Sequence, residues 1–411
     1  MRSLVILLTL SAALLTMFGA LADTVVKSIS IENGDAPRRH VPVEIALEAK
    51  EMPATVAVKN METSALYPAT LRNGALVFLV DAMEAGAKIK GEIIAVEQTE
   101  GEAPRVNLVK RPDEDVVDVH IDGKLFTAYH YGAQWRKPFL WPLNSEGGVG
   151  ITRDYPMEEE STPRLDRDHP HHKSLWTAYG EVNGYDLWAE GADAGNQRSK
   201  DVTFGSGDAY GWIRSANMWE TKEGAPIIEE IREYRFYATP ENARLLDVFV
   251  TFKASQGEVF FSDTKEGGIV SVRMRPDICR AKAVITNALG DVGEEKAWGK
   301  PSPWCDFSGE VPGVGWRGLT IFDNPANLRH PSSWHVRNYG LMGANAFGYS
   351  HFNEKEYNRG LIPENGDYTI PSGGELSFAY RVYVHSGSVQ EAEVARRFQD
   401  YATPPKAYFA E

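Results

Sequence analysis

From residue 106 onward, the chain consists of short runs in which apolar and polar residues alternate, and helical periods are few. Such alternation is typical of strands with one buried face. The strand-like runs are 116–121, 124–130, 227–237, 245–252, 257–261, 269–274, 315–322 and 376–385. Asp122-Gly123 separates the first two runs and predicts a tight hairpin turn. So many antiparallel strands predict an all-β fold whose main body, residues 106–411, is a large two-sheet sandwich rather than a parallel α/β domain.

Residues 23–105 differ from the rest of the chain in composition. They are rich in Val, Ala, Ile and Glu, are free of Trp, and contain short alternating runs such as 75–80. Turn pairs such as Asn73-Gly74 separate these runs. We predict a small β-sandwich accessory domain here, joined to the large domain through the polar segment 97–105.

One helix is predicted near the end of the chain. Ser388 and Glu391 have the spacing of a capping box, in which two side chains satisfy backbone N–H groups at a helix start. Apolar residues follow at helical spacing, at positions 392, 395, 398 and 401.

The first 22 residues have the order of a secretory signal peptide: Arg2, an apolar run over 4–18, and small residues before Asp23. We therefore expect residues 1–22 to be removed and the mature chain to be exported to the periplasm or the exterior. No later apolar run reaches the roughly 18 to 20 residues that a membrane helix needs. Acidic residues outnumber basic ones 57 to 43, without blocks of like charge, and the net charge of −14 disfavours a nucleic-acid partner.

The two cysteines, Cys279 and Cys305, leave two interpretations open. In an oxidising compartment they could form one disulfide, although nothing in the sequence fixes the distance between them. Alternatively, both are small buried hydrophobic residues.

The segment 164–176 holds the densest group of titratable residues. Three of the ten histidines and two carboxylates fall within seven residues, 166–172. Imidazole titrates near neutral pH and is the commonest metal ligand, so this density indicates proton transfer or cation binding. Trp176 looks like part of a buried strand, which would place the histidines at the mouth of a core.

Pro170 favours an extended conformation at His169. In an extended chain, His169 and His171 share a face, and His172 points to the other side, beside Asp168. Three interpretations remain open. The pair supplies two metal ligands, with His130 as a candidate third ligand; or one imidazole acts as a general acid or base that a carboxylate orients; or the segment is a hydrated loop.

A second polar cluster is Asp263-Thr-Lys-Glu-Gly-Gly268, between two strand-like runs. Lys-Glu-Gly-Gly is turn chemistry, so the cluster taken alone predicts an ordinary hairpin turn. The functional alternative is that the chain crosses a cleft here. Asp263 or Glu266 would then supply a carboxylate and Lys265 a cation, while the glycines let the backbone approach a ligand.

A third cluster spans 324–340. His335, Arg337 and Tyr339 alternate on one face of a presumed strand. These groups are costly to bury without partners, so this face is expected to line a polar cavity, to which His330 also belongs. Arg337 could bind a carboxylate such as that of a uronic acid, and His335 or Tyr339 could move a proton.

Three runs in this order, Asp168-His-Pro-His-His-Lys-Ser-Leu-Trp176, Asp263-Thr-Lys-Glu-Gly-Gly268 and Trp334-His-Val-Arg-Asn-Tyr-Gly340, resemble a family of exported bacterial proteins of unknown function labelled methane oxygenase PmoA-like. The methane-oxidation label is set aside, because the true methane monooxygenase subunit is an integral membrane protein and the mature chain here has no predicted span. The resemblance implies a supersandwich similar to those of galactose mutarotases and polysaccharide lyases. It also implies a role in carbohydrate breakdown.

The leading hypothesis is an exported carbohydrate-active enzyme, a lyase, hydrolase or epimerase that acts on a saccharide and needs no cofactor. The candidate catalytic residues are His169, His171, Glu266, His335 and Tyr339. The candidate substrate-binding residues are Asp168, His172, Trp176, Asp263, Lys265, His330 and Arg337. Two alternatives stand beside it: a carbohydrate-binding protein without turnover, and an enzyme that holds a divalent metal on His169 and His171.

Overall fold

The computed structural model describes residues 25–47, 53, 55–97, 101–280, 283–354, 358–360 and 365–410. The predicted signal peptide, residues 1–22, and residues 98–100 of the predicted linker lie outside this part of the chain.

Strands make up most of the described residues. They are β1 Val25–Glu32, β2 Arg38–Ala46, β3 Val56–Asn60, β4 Leu66–Arg72, β5 Ala75–Met83, β6 Lys88–Ala95, β7 Val106–Lys110, β8 Val116–Ile121, β9 Lys124–His130, β10 Phe139–Ser145, β11 Val149–Gly150, β12 Leu175–Tyr179, β13 Asn196–Gly205, β14 Tyr210–Glu220, β15 Pro226–Tyr237, β16 Ala243–Lys253, β17 Val259–Phe261, β18 Gly267–Arg273, β19 Val284–Asn287, β20 Trp304–Val311, β21 Gly315–Asp323, β22 Ser333–Arg337, β23 Leu341–Asn345, β24 Tyr368–Ile370, β25 Glu375–Ser386 and β26 Lys406–Phe409.

Helices are few and short in the described residues. They are α1 Pro276–Arg280, α2 Glu294–Ala297, α3 Tyr349–Phe352 and α4 Val394–Ala402, with 3-10 turns at Glu146–Gly148, Glu159–Ser161 and Arg164–Asp166. The predicted all-β class with one C-terminal helix is therefore confirmed. In the predicted capping box, Glu391 accepts hydrogen bonds from the N–H and hydroxyl of Ser388. The capping box stabilises the turn at 388–391, which precedes the helix. The helix itself begins at Val394, because Glu393 takes a left-handed conformation.

The N-terminal strands form a seven-stranded antiparallel sheet in the order β2-β5-β4-β3-β6-β1-β26. We call it the first sheet. It encloses its own apolar core, to which Ile31, Val43, Val58 and Phe78 contribute. The type I′ turn signal Asn73-Gly74 joins β4 to β5 with positive φ at both residues, as the sequence predicts. The last strand of the chain, β26, pairs with β1, so the C-terminus returns to this sheet.

Two larger antiparallel sheets form the main body. The site sheet has nine strands in the order β22-β23-β18-β12-β10-β9-β8-β7, with β11 beside β10, and the back sheet has eight in the order β13-β14-β15-β16-β25-β21-β20-β19. The Asp122-Gly123 hairpin joins β8 to β9 as predicted. An apolar core lies between the two sheets. In this core the Tyr129 ring packs edge-on against Tyr234, and the Tyr129 hydroxyl donates to Ser215 at 2.9 Å.

Polar contacts connect the first sheet to the back sheet. Arg72 on β4 donates two hydrogen bonds to Glu233 on β15, at 2.8 and 2.9 Å, and its guanidinium lies 3.7 Å from the Trp212 ring centre. Thr70 accepts hydrogen bonds from the N–H groups of Ala209 and Tyr210. The division into domains at residue 105 stays a prediction, and β26 lies outside the range that the sequence assigns to the first domain.

Two further features bear on the sequence predictions. Cys279 and Cys305 are free thiols, and burial raises the pKa of both, that of Cys279 to about 12. In the described part of the chain, no helix is both long and apolar enough to cross a bilayer.

Candidate functional site

A cavity of about 480 Å³ lies beside the end of β12, at one edge of the core. Cavities of this size suit a small ligand such as one or two sugar rings. Its lining residues are His169, His171, Gly180, Glu181, Gly184, Asp186, Trp188, Ala189, Thr264 and Glu266. Residues from the first two sequence clusters thus meet in one cavity.

The histidine segment forms a turn, and the predicted extended geometry at His169 is wrong. His169 has a φ of 41°, and the N–H of His172 donates to the carbonyl of His169 at 3.0 Å. Although Pro170 disfavours the helical region before it, it does not forbid the left-handed region that His169 occupies. The turn stacks the rings of His169 and His172 at 4.9 Å and puts the His171 ring 4.3 Å from that of His172. His172 therefore belongs to the same cluster as the other two and does not face away.

Two buried arginines hold this turn in place. Arg153 donates to Asp168 at 2.7 Å and to the carbonyls of His169 and His172. Arg273 donates to the same Asp168 oxygen at 2.6 Å and to Nδ1 of His172 at 3.1 Å. Because arginine can only donate, Nδ1 of His172 must be an acceptor, which fixes a neutral ring with its proton on Nε2.

The environment keeps the inner histidines neutral. Burial lowers the pKa of His171 to about 3, and Lys137, His169 and Lys173 act in the same direction. Burial, His171 and Arg273 lower the pKa of His172 well below its usual value. Neutral imidazoles can accept hydrogen bonds, but a strongly lowered pKa makes them weak proton acceptors at neutral pH.

His169 is more exposed and pairs with a carboxylate. Its Nδ1 lies 3.0 Å from Oδ2 of Asp168. Although burial acts to raise the pKa of Asp168, Arg273 and His169 hold it below its usual value, so this carboxylate stays ionised. A carboxylate on one ring nitrogen orients an imidazole for acid–base chemistry.

A second charged group lies behind the cavity wall. The buried ammonium groups of Lys137 and Lys173 both pair with Glu190, and Lys137 also donates to the carbonyl of Trp188. Burial lowers the pKa of Lys137 to about 8, against the opposing effect of Glu190. The sequence predictions did not include these residues.

The segment after β17 is not a hairpin, so the turn interpretation of the second cluster is wrong. β17 pairs with β24, whereas β18 joins the site sheet between β12 and β23. The chain crosses between sheets here, and Glu266 reaches the cavity paired with its neighbour Lys265. Asp263 points elsewhere: its Oδ2 accepts from the N–H groups of Ser350 and Gly366, so it anchors a loop and is not a cavity residue.

The third cluster is split, because β22 ends at Arg337. His335 is buried behind Trp188, at 6.4 Å between ring centres, and does not line the cavity. Burial, Arg337 and Lys265 lower its pKa to about 3. Arg337 itself pairs with Glu294 at 3.4 Å and stacks on Trp298, which removes it as the predicted anion clamp.

Tyr339 lies in the turn after β22, so strand alternation does not set its direction. Its ring stacks on His169 at 5.3 Å and lies 4.3 Å from the Arg273 guanidinium. His330 lies away from the cavity, with Nδ1 2.9 Å from Oδ2 of buried Asp323. Both residues were predicted for the site, but of these two only Tyr339 contacts it.

Two tryptophan rings pack against the histidines. Trp176 is fully buried and stacks on His172 at 5.3 Å. It therefore supports the site and, contrary to the prediction, cannot touch a ligand. Trp188 forms the cavity wall instead and packs against both His171 and His172. The only signal for it in the sequence is an aromatic residue soon after the Asn183-Gly184 turn.

The metal interpretation lacks a complete ligand set in the described residues, where no three His, Cys, Asp or Glu side chains are arranged to hold one ion. His130, the predicted third ligand, lies on β9, where Nε2 is 2.9 Å from the Trp141 carbonyl oxygen and the ring stacks on Phe139.

Residues 116–399 match the model of a family of unknown function (DUF6807). The chain belongs to this family. No curated protein matches the chain. Among solved structures, the Slr1438 protein from Synechocystis sp. PCC 6803 is 9% identical, with 71% of this chain and 100% of that chain covered. The TM-score of 0.26 is too low to support an argument.

Proposed function

We propose that the protein is an exported carbohydrate-active enzyme that moves protons at a saccharide bound in the cavity between His169, His171 and Glu266. The observation that carries this proposal is the Asp168–His169 pair beside a cavity that the carboxylate of Glu266 also lines. Carboxylates accept hydrogen bonds from hydroxyl groups, which saccharides carry in number. Export and the PmoA-like resemblance belong to the same proposal.

The roles follow from charge and position. His169, oriented by Asp168, exchanges a proton with the saccharide, and neutral His171 is placed to accept a hydrogen bond from a hydroxyl group. Glu266 serves as the second acid–base group or holds a hydroxyl. Tyr339 is a positioning residue, because its ring stacks on His169. Lyase, epimerase and hydrolase reactions all need a proton taken from one atom and given to another.

A panel of polysaccharides and glycosides tests this function. We expect at least one substrate to give new reducing ends, ultraviolet absorbance from unsaturated products, or an epimer. His169→Gln and Glu266→Gln should each lower kcat by about 100-fold, as removal of an acid–base group typically does. The exposed strand residue Glu310 offers a matched control, and Glu310→Gln should retain the activity.

The outcome also separates the alternatives. Saccharide binding without product, at any concentration of the purified protein, would identify a binding protein. Activity that a chelator removes and one equivalent of a divalent metal restores would favour the metal enzyme. Full activity in His169→Gln would contradict the proposed role of the Asp168–His169 pair.

A further inference from the structure

Two groups of buried charge border the histidine cluster, and each has two cations to one carboxylate. Arg153 and Arg273, with side chains 0% and 3% exposed, share Asp168. Lys137 and Lys173, 2% and 1% exposed, share Glu190. Neither group is neutral when all its members are ionised.

The second group lies against the cavity wall. Lys137 donates to the carbonyl of Trp188, and Trp188 and Ala189 line the cavity. An unbalanced buried cation is costly, because it has lost its water of hydration, unless an anion compensates it. Of the three carboxylates that line the cavity, Asp186 acts on Lys137, but more weakly than Glu190 does. Glu181 and Asp186 are exposed to solvent, and Glu266 is paired with Lys265.

The electrostatic field at His171 is also positive. Apart from burial, the strongest influences on His171 come from Lys137, His169, Lys173 and Arg153, and all of them disfavour a positive ring. An anion bound beside His171 would offset these cations and make the imidazole a stronger base. The cationic groups are also fixed in place before any ligand arrives, so no reorganisation is needed.

We infer that the saccharide taken by this cavity carries an anionic group, a carboxylate or a sulfate ester, and that the Lys137–Glu190–Lys173 group selects it. This inference rests on the proposed function. The lysines act through the cavity wall and not by contact, so they are specificity-determining residues. They replace Arg337, whose guanidinium is already paired with Glu294.

Matched ligands test the inference on the full mature protein. Dissociation constants are measured by calorimetry for glucuronate- and galacturonate-containing oligosaccharides, their neutral glucose and galactose counterparts, and a sulfated glycan. We expect at least one acidic ligand to bind about tenfold more tightly than its neutral counterpart, because complementary charge favours it. The uronate and sulfate arms identify which anion is recognised.

The variant Lys137→Met removes one buried cation while keeping a side chain of similar shape. It should abolish the preference for the acidic ligand, measured as the ratio of the two dissociation constants. Lys200→Met is the matched control, because Lys200 is an exposed lysine paired with Glu220 on the back sheet. It should keep the preference. Thermal unfolding of both variants confirms that they fold.

The wild-type protein provides an independent measurement. Lys137 faces Lys173, Glu190, Asp186 and His171, and its pKa is about 8. Above that pH it loses its proton, and the group becomes neutral. The Kd of the acidic ligand should therefore rise above pH 8 and level off about tenfold higher, whereas that of the neutral ligand should not change.

The possible results are distinguishable. Equal or tighter binding of the neutral saccharides overturns the inference and leaves the proposed function standing. An acidic preference that persists in Lys137→Met overturns the role of the lysine group. Failure of every saccharide to bind or react overturns both.

Discussion

At the scale of single residues, burial changes what the histidines can do. The sequence places His169, His171 and His172 together, and their density alone indicates proton transfer or cation binding. In the structure, Arg273 fixes His172 as a neutral acceptor, and burial lowers the pKa of His171 to about 3. The positive charge of the site therefore comes from arginine and lysine, and the inner imidazoles stay neutral.

The buried His335 makes stability depend on pH. Its pKa is about 3 in the folded protein, against about 6.5 in the unfolded chain. Its contribution is fully present above pH 6.5 and is lost as the pH falls towards 3, because the unfolded chain takes up the proton first. Between pH 7 and pH 4.5, the wild type should lose roughly 3 kcal/mol more stability than His335→Gln.

Urea unfolding of both proteins at the two pH values measures this difference. The comparison cancels the other histidines, which the two proteins share. An equal loss of unfolding free energy in both proteins would show that His335 takes up its proton in the folded state over the same pH range as in the unfolded chain.

At the scale of elements, the site depends on where β12 ends and the crossover begins. Gly180 follows β12 directly, beneath Glu266. A Cβ at Gly180 would lie 2.9 Å from the Cβ of Glu266 and closer still to its carbonyl oxygen. Only glycine lets the two backbone segments approach this closely.

Gly180→Ala should therefore displace the crossover and lower the activity on the substrate found by the panel by about tenfold or more, since small misplacements of reacting groups cost large factors in rate. Gly191→Ala is the matched control, because a Cβ there meets no atom within 4 Å. Steady-state kinetics and circular dichroism measure activity and fold. Unchanged kinetics in Gly180→Ala would show that the position of Glu266 does not matter.

The crossover also shows where element prediction fails. Lys265-Glu266-Gly267-Gly268 has turn chemistry, but the chain only bends at Lys265 and Glu266, and β18 begins at Gly267. Turn chemistry is local, however, and does not specify which sheet the next strand joins. The pairing of β17 with β24 and of β18 with β12 depends on contacts about 100 residues apart in sequence.

At the scale of the whole molecule, the first sheet is held to the main body by charge and stacking. Arg72 binds Glu233 with two hydrogen bonds and stacks on Trp212. The pair is largely shielded from solvent, with side chains 12% and 16% exposed. Bidentate, partly buried pairs are stronger than ordinary surface pairs.

A double-mutant cycle of Arg72→Ala and Glu233→Ala should give a coupling energy of about 1 to 2 kcal/mol in urea unfolding. The solvent-exposed pair Lys88 and Glu32 on the first sheet is the control, and no measurable coupling is expected there. A coupling no larger than that of the control would mean that the Arg72–Glu233 pair does not help to join the sheet to the main body.

The sequence by itself determined the all-β class, the hairpin at Asp122-Gly123 and the capping box at Ser388, because alternation, turn chemistry and capping act between residues close in the chain. It also found the two polar clusters that line the cavity. Only the tertiary structure decided that His335 lies behind Trp188, that Arg337 pairs with Glu294, and that Lys137 and Lys173 share one carboxylate. Burial and charge pairing depend on residues far apart in sequence, and these set the electrostatics of the site.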